Sequence, residues 1–239
     1  MIPLAILAGG LGTRLGLLAR GRPKALVNVH GLPFLDYQLH WAARQGIRRV
    51  VMCVGYGSLQ IRRHLEARRP RGIDICFSDE GSRPRGTAAA LRRALPMLGS
   101  RFLVLYGDSY LPVRYAALER AHRRLGFPAL MAVYRNTGRF DRSNVAPAGR
   151  RVGRYVAGGE RGLSWVDAGL AVLAPIVLAG APEKGLAELY TRLAAEGRLG
   201  CWRTRHRFWE VGSPGGLTGF RRRARRLRVP GFPVGQAGW

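Results

Sequence analysis

The side chains able to do chemistry gather first around a glycine-rich stretch near the N-terminus. The short apolar run Leu4–Ala8 reads as a core strand and leads into Gly9, Gly10 and Gly12, followed by Thr13 and Arg14. Lys24 comes ten residues after Arg14, directly behind Pro23. Small residues let backbone amides approach a polyphosphate closely. A guanidinium and an ammonium then supply the charge that phosphoryl transfer requires. The pattern predicts a nucleoside triphosphate site at the front of a parallel sheet. It is not a Walker A loop, because no G-x-x-x-x-G-K-[ST] string occurs. Nor is it a dinucleotide fingerprint: Gly10 and Gly12 are followed by Gly16 rather than by a glycine at the required spacing.

Asp108 is the second focus. It follows Phe102–Tyr106, an apolar run of buried-strand type, with Gly107 giving access at its end. An acid there is costly in a core and useful in a site. Metal ligation is the favoured role, and an N-cap for the segment at Pro112 is the alternative. Lys24 is notable for a different reason. Of 40 basic residues only Lys24 and Lys184 are lysines. Arginine fills nearly every generic basic position, so a retained lysine points to a need for a compact ammonium rather than a planar fork.

These residues resemble the signature of the sugar-phosphate nucleotidyltransferases, the nucleotide-sugar pyrophosphorylases. The loop stands here as Gly9-Gly10-Leu11-Gly12-Thr13-Arg14-Leu15 followed by Pro23-Lys24. The similarity continues through His30-Gly31-Leu32-Pro33-Phe34-Leu35, Arg85-Gly86-Thr87-Ala88-Ala89-Ala90-Leu91, Tyr106-Gly107-Asp108-Ser109-Tyr110, Asp167-Ala168-Gly169-Leu170 and Trp209-Glu210-Val211-Gly212-Ser213-Pro214. The motifs fall in the family's order and cover residues 2–220. Within the family the chain is most similar to the short members acting on mannose-, heptose- or N-acetylmuramate-type 1-phosphates.

The resemblance implies transfer of an NMP from an NTP to a sugar 1-phosphate, giving an NDP-sugar and pyrophosphate. The guanylyl enzymes for heptose or mannose 1-phosphate are the favoured models. It implies Arg14 on the β/γ-phosphates, Lys24 at the α-phosphate and the incoming phosphate, and the backbone of Gly10 to Thr13 as the cradle. Gly86 and Thr87, with Ala8 or Gly9, match positions that read the base, and Arg85 stands where relatives usually carry Leu. Mg²⁺ is the implied cofactor, held by Asp108 and by Glu210, where relatives usually have Asp. If Glu210 does not ligate, it is an ordinary edge-strand acid. Tyr110, Asp167 and Gly169 fall in sugar-facing segments, with Asp167 replacing Asn and so able to accept but not donate. The sugar-phosphate lysine of many relatives is missing after the strand near Val152–Val156. Arg161 is its candidate substitute, and the alternative is that the contact is absent. Two other readings stay open: a nucleotide-binding relative without catalysis, and a cytidylyltransferase for phosphocholine, for which Trp165, Trp202 and Trp209 could form a cation cage although a core role is favoured for each.

Composition sets outer bounds. A chain of 239 residues can bury a sizeable core in one domain or in a domain with a small lid. No run of 18 apolar residues occurs, and the N-terminus lacks a basic leader, so a cytoplasmic protein is expected. Cys53, Cys76 and Cys201 lack metal-type spacing, and the five histidines form no ligand pair. The net charge of +26 suits polyanionic substrates and favours non-specific nucleic-acid binding at low salt. No nucleic-acid module is visible, so NTP and sugar 1-phosphate are the expected partners, without a specific nucleic acid or a membrane.

The front half alternates strands at Leu4–Ala8, Arg49–Val54, Ile73–Phe77, Phe102–Tyr106 and Ala129–Tyr134 with helices at Phe34–Gln45, Leu59–Arg68, Thr87–Leu98 and Leu111–Leu125. This predicts an α/β, Rossmann-like fold of nucleotide-diphospho-sugar transferase type, with a mostly parallel sheet and helices on both faces. Ligands then collect at the carboxyl ends of the strands. After Asn136 short strands at Val145–Pro147, Val152–Val156, Leu163–Val166 and Leu170–Leu173 predict a small mixed-sheet sugar-binding region. A helix at Leu186–Glu196, a strand at Leu199–Trp202 and a basic helix at Pro214–Leu227 follow. The expected organisation is one domain over 1–228, with 1–135 serving the nucleotide and 136–213 the sugar and lid, and an irregular tail over 229–239.

Overall fold

The computed structural model describes residues 1–10, 15–16, 21–68, 70–81, 85–137, 139–227 and 229. The chain opens with β1 (Leu4–Leu7), a small hairpin of β2 (Asn28–Val29) and β3 (Leu32–Pro33), and α1 (Phe34–Arg44). Then come β4 (Arg49–Val54), α2 (Ser58–Ala67), β5 (Asp74–Asp79), α3 (Thr87–Ala94), β6 (Phe102–Tyr106), β7 (Ser109–Tyr110), α4 (Tyr115–Leu125) and β8 (Ala129–Arg135). The remainder is β9 (Val145–Ala148), β10 (Arg151–Tyr155), β11 (Trp165–Leu173), α5 (Leu186–Ala195), β12 (Leu199–Thr204), β13 (Trp209–Glu210) and α6 (Pro214–Ala224).

Among the described residues nine strands form one sheet in the order β5-β4-β1-β6-β11-β8-β12-β10-β9. β5, β4, β1 and β6 are mutually parallel, and β8 and β12 are parallel to each other. β11 and β10 run against their neighbours, so the sheet is mixed beyond β6. Side chains alternate between two cores, as the pleat requires. Leu4 and Ile6 of β1, with Leu103 and Leu105 of β6, pack with α1, α2 and α4; Ala5, Phe102 and Val104 pack on the other face with α3 and α5. Burial of both faces is why these strands read as continuous apolar runs. A third cluster joins α1 to α6: Phe220 is fully buried against Phe34, Tyr37 and Tyr110, with ring centroids 4.9, 5.4 and 5.2 Å away. Burying one such ring is worth about 1.5–3 kcal/mol.

Several element boundaries differ from the sequence expectation for local reasons. Proline lacks an N–H, and at Pro96 α3 gives way to a single 3-10 turn over Leu95–Met97. α4 starts at Tyr115 rather than Leu111, because Ser109–Tyr110 is drawn into an antiparallel pair with Trp209–Glu210. The two pieces expected at Leu163–Val166 and Leu170–Leu173 are one strand, β11, with a register shift against β8 between Asp167 and Ala171. α6 ends at Ala224, and beyond Val229 the expected tail lies outside the described residues. Among the described residues no helix is long and apolar enough to cross a membrane.

From β1 the chain moves to β4 and β5 on one side, then crosses to β6 on the other. Such a reversal opens a crevice at the carboxyl ends of the strands. Gly9-Gly10 after β1 and Gly107-Asp108 after β6 both stand there. Gly107 donates its N–H to the Leu7 carbonyl at 3.1 Å, and a Cβ on it would lie 2.1 Å from that same oxygen. Gly107→Ala therefore has to push β6 away from β1. A loss of about 2 kcal/mol or more is expected, read as a lowered urea midpoint with unchanged m-value.

Candidate active site

A cavity of about 520 Å³ occupies the crevice, and Lys24 and Asp108 stand in its wall. Lys24 begins a single 3-10 turn, Lys24–Leu26, whose Ala25 and Leu26 are buried anchors. Its ammonium hydrogen-bonds Asp108 Oδ2 and lies 3.7 Å from Glu210 Oε1. The two acids come from distant parts of the chain and meet through the β7–β13 pair, which sets Ser109 opposite Glu210. Val211 N–H donates to the Asp108 carbonyl at 2.9 Å and continues that pairing. The Gln38 amide of α1 donates to the carbonyls of Tyr106 and Ser109, at 3.0 and 2.8 Å, and holds both sides of the turn carrying Asp108.

Glu210 is fixed from the other side by α6. The Ser213 hydroxyl donates to Glu210 Oε2 at 3.3 Å while its oxygen accepts the Gly216 N–H at 3.1 Å. Ser213 is thus an N-cap, and Pro214 takes the first helical position where its missing N–H costs nothing. The helix N-terminus also favours a nearby carboxylate. Gly212 is required by crowding: a Cβ there would lie 1.8 Å from Glu210 Oε1 and 2.1 Å from Lys24 Nζ.

Of the residues expected to meet the nucleotide, Ala8, Gly9, Gly10, Gly86 and Thr87 line the cavity. Gly12, Thr13 and Arg14 lie outside the described residues. Thr87 also has a structural task, since its Oγ1 accepts the Leu186 N–H at 2.8 Å and ties α3 to the start of α5. Arg85 is exposed, and its backbone N–H donates to Glu80 Oε2 at 3.2 Å.

The expected sugar residues are placed differently. Tyr110 is buried on the far side, among Trp41 and Phe220, because successive strand residues face opposite ways and Ser109 takes the inner face. Arg161 is exposed on the turn after β10, and the adjacent Glu160 pairs with Arg154 at 2.9 Å. Asp167 stands behind the wall. Its Oδ1 accepts Gly169 N–H at 2.9 Å and its Oδ2 accepts the Tyr106 hydroxyl at 2.8 Å. Gly169 adopts φ +78°, and a Cβ there would lie 2.4 Å from Ser109 Oγ. Tyr106 and Tyr155, which sequence reasoning passed over, are the side chains of this region that reach the cavity. Glu80 also lines the cavity and was missed, since it follows the polar pair Ser78-Asp79.

Trp165 and Trp209 are engaged by Arg203 and Arg207, at 5.3 and 3.8 Å, and Trp202 packs on the α4 side of the core. None of the three lines the cavity, so they form no cation cage there. Cys53 is buried in the wall with its thiol pushed up to about 12, by burial first and the Glu80 charge second, and is inert as a nucleophile.

The model of the nucleotidyl transferase family matches residues 4–139, more than half of the chain. The chain belongs to the nucleotidyl transferase family. It is similar to D-glycero-alpha-D-manno-heptose 1-phosphate guanylyltransferase of Campylobacter jejuni, with 32% identity over 48% of this chain. That alignment spans 51% of the relative, about half its length. It is also similar to N-acetylmuramate alpha-1-phosphate uridylyltransferase of Caulobacter vibrioides, with 29% identity over 87% of this chain and 91% of the relative. The fold matches a crystal structure of HddC from Yersinia pseudotuberculosis complexed with GMP-PN, with a TM-score of 0.81 and 23% identity over 93% of this chain and 99% of that one. A nucleotidyl transferase needs a place where anionic phosphates meet, and the Lys24–Asp108–Glu210 group stands at the sheet edge where the fold puts ligands.

Burial raises the Asp167 carboxyl to about 6, while the hydrogen bonds from Gly169 and Tyr106 pull it down and the Asp108 charge adds to the rise. An unfolded chain releases this proton near pH 4. Between about pH 4 and 6 the folded chain therefore binds more protons, and the Asp167 contribution to stability falls as pH rises. Asp167→Asn should flatten this part of the profile. Urea midpoints of wild type and variant, compared across that window, should converge at low pH and separate above it, with the wild type losing ground.

Proposed function

We propose that this protein transfers an NMP from an NTP to a sugar 1-phosphate, giving an NDP-sugar and pyrophosphate, with a guanine nucleotide and a heptose- or mannose-type 1-phosphate as substrates. The observation that carries the reading is one ammonium set between two carboxylates at the crevice of a nucleotidyl transferase sheet. Both reactants are anions, so neutralising and aligning them is most of the task. A phosphate oxygen of the sugar 1-phosphate attacks the α-phosphorus, a new P–O bond forms, and the bond to the bridging oxygen breaks as pyrophosphate leaves. The relatives named for heptose and N-acetylmuramate 1-phosphates support the acceptor class.

Lys24 binds the α-phosphate and the incoming phosphate. Among the described residues lining the cavity it is the one cation, and Arg161 and Arg154 are not there to help. Lys24 thus takes over the acceptor contact made elsewhere by the missing lysine, with Arg14 on the β/γ-phosphates. In this reading the backbone N–H groups of Gly10 to Thr13 cradle the triphosphate. Asp108 and Glu210 fit a hard divalent ion, Mg²⁺ in this reading: they already converge on one positive charge, and phosphate oxygens would complete the ligand set. Bound there, the ion would neutralise charge on the phosphates. The extra methylene of Glu210 relative to Asp is accommodated by Gly212. In this reading residues 1–228 act as one catalytic domain, 1–135 binding the nucleotide and 136–213 the acceptor.

Pyrophosphate release with Mg²⁺ across a grid of NTPs and sugar 1-phosphates, phosphocholine included, tests this. One bright combination is expected. Asp108→Asn should lower its rate by about 10³-fold or more and Lys24→Met by about 10²–10³-fold, as removal of a group facing transition-state charge does. A grid without turnover overturns the reading in favour of a binding protein, and preference for phosphocholine overturns the acceptor class.

A further inference from the structure

Glu80 follows β5 and remains in the ladder, donating its N–H to the Val54 carbonyl of β4 at 3.0 Å. Its neighbour Asp79 is occupied on the opposite face by Ser58, Arg62 and the Gly81 N–H. Strand alternation therefore turns Glu80 into the cavity. Its carboxylate lies over two bare backbones: a Cβ on Gly9 or on Gly55 would be 3.2 Å from Glu80 Oε1. A side chain at either position would crowd the carboxylate by a few tenths of an ångström. The cavity is electrostatically two-sided. Lys24 and Asp108 line the β6 side, with Glu210 beside Lys24, and Glu80 lines the β4–β5 side, with β1 between.

On the Glu80 side the described lining residues Ala8, Gly9, Cys53 and Gly86 bring no charged group, and Thr87 Oγ1 is taken up by Leu186 N–H. The one strong group there is a carboxylate whose Oε2 accepts the Arg85 N–H at 3.2 Å, and its two oxygens keep lone pairs for further donors. A ligand spanning the cavity must carry phosphate at one end and adjacent N–H donors at the other. Guanine presents N1–H and the 2-amino group side by side, two donors for two carboxylate oxygens. Adenine and cytosine present a ring-nitrogen acceptor at that edge, and uracil flanks its single N–H with two carbonyls. Each would set a lone pair against the carboxylate.

We propose that Glu80 is the residue that selects guanine, by accepting both Watson–Crick-edge donors of the base. This rests on the nucleotidyltransferase reading above and names the feature that fixes its nucleotide. The test is calorimetric binding of GTP, ITP, ATP, UTP and tripolyphosphate to wild type, Glu80→Gln and Glu80→Asp, without acceptor so that no turnover occurs. Wild type should prefer GTP to ITP, which lacks the 2-amino group, by about tenfold or more, as loss of a hydrogen bond to a charged group predicts. Glu80→Gln should bring GTP and ITP to near equality and improve ATP, since an amide both donates and accepts. Glu80→Asp should fall between. Tripolyphosphate, having no base, should bind all three proteins alike. Wild type preferring GTP with the ratio unchanged in Glu80→Gln would overturn the role of Glu80 and leave the guanine reading standing. Wild type preferring another base would overturn both. Loss of tripolyphosphate binding in the variants would show a structural role and overturn the proposal.

Discussion

The ammonium of Lys24 is shared by Asp108 and Glu210, and much of the molecule serves to keep those three groups together. Lys24 rides on a short turn behind Pro23, Asp108 hangs from the end of β6, and Glu210 arrives from the far end of the chain. Two acids facing each other across a cleft repel, and a cation between them removes that cost. In the proposed function the same arrangement would receive phosphates and a metal ion, which bring the opposite charges in pairs. An apolar core alone would not set this geometry, because it fixes helices on strands without specifying which loop touches which.

Three devices supply the missing precision. The two-residue pair β7–β13 brings Asp108 beside Glu210, and Gln38 clamps the Asp108 turn from α1. Ser213 anchors Glu210 to the N-terminus of α6, and α6 in turn is seated by Phe220 among the rings of Phe34, Tyr37 and Tyr110. The aromatic cluster is thus remote from the chemistry and still sets its geometry. Glycine does the rest at Gly107 and Gly212, where backbone or charged groups approach too closely for any side chain.

Much of this was legible in the sequence, for physical reasons that also mark where legibility stopped. Strands buried on both faces show as unbroken apolar runs, so β1, β4, β6 and β8 were found nearly to the residue. Lys24 and Asp108 stood out in the sequence, as a lysine kept in an arginine-rich chain and an acid after a core strand, and the structure brings the two together. The β7–β13 pair was not readable, since two-residue strands carry no period and their partners are a hundred residues apart. Sidedness was the second limit. Tyr110 turned into the aromatic cluster and Arg161 out to solvent, while Asp167 spent both oxygens on Gly169 and Tyr106. Glu80 escaped notice because Ser78-Asp79-Glu80 reads as a polar turn, whereas the strand continues through it and splits the two acids between faces.

In the proposed reaction Lys24 holds phosphate and Asp108 the metal ion, and their direct contact couples the two roles so that they act as one unit. A double-mutant cycle on kcat/KM with Lys24→Met, Asp108→Asn and the combined variant tests it most directly. Residues that act together lose their effect together, so the combined variant should be no worse than the worse single one. Losses that add in free energy would show two independent groups and overturn this coupling.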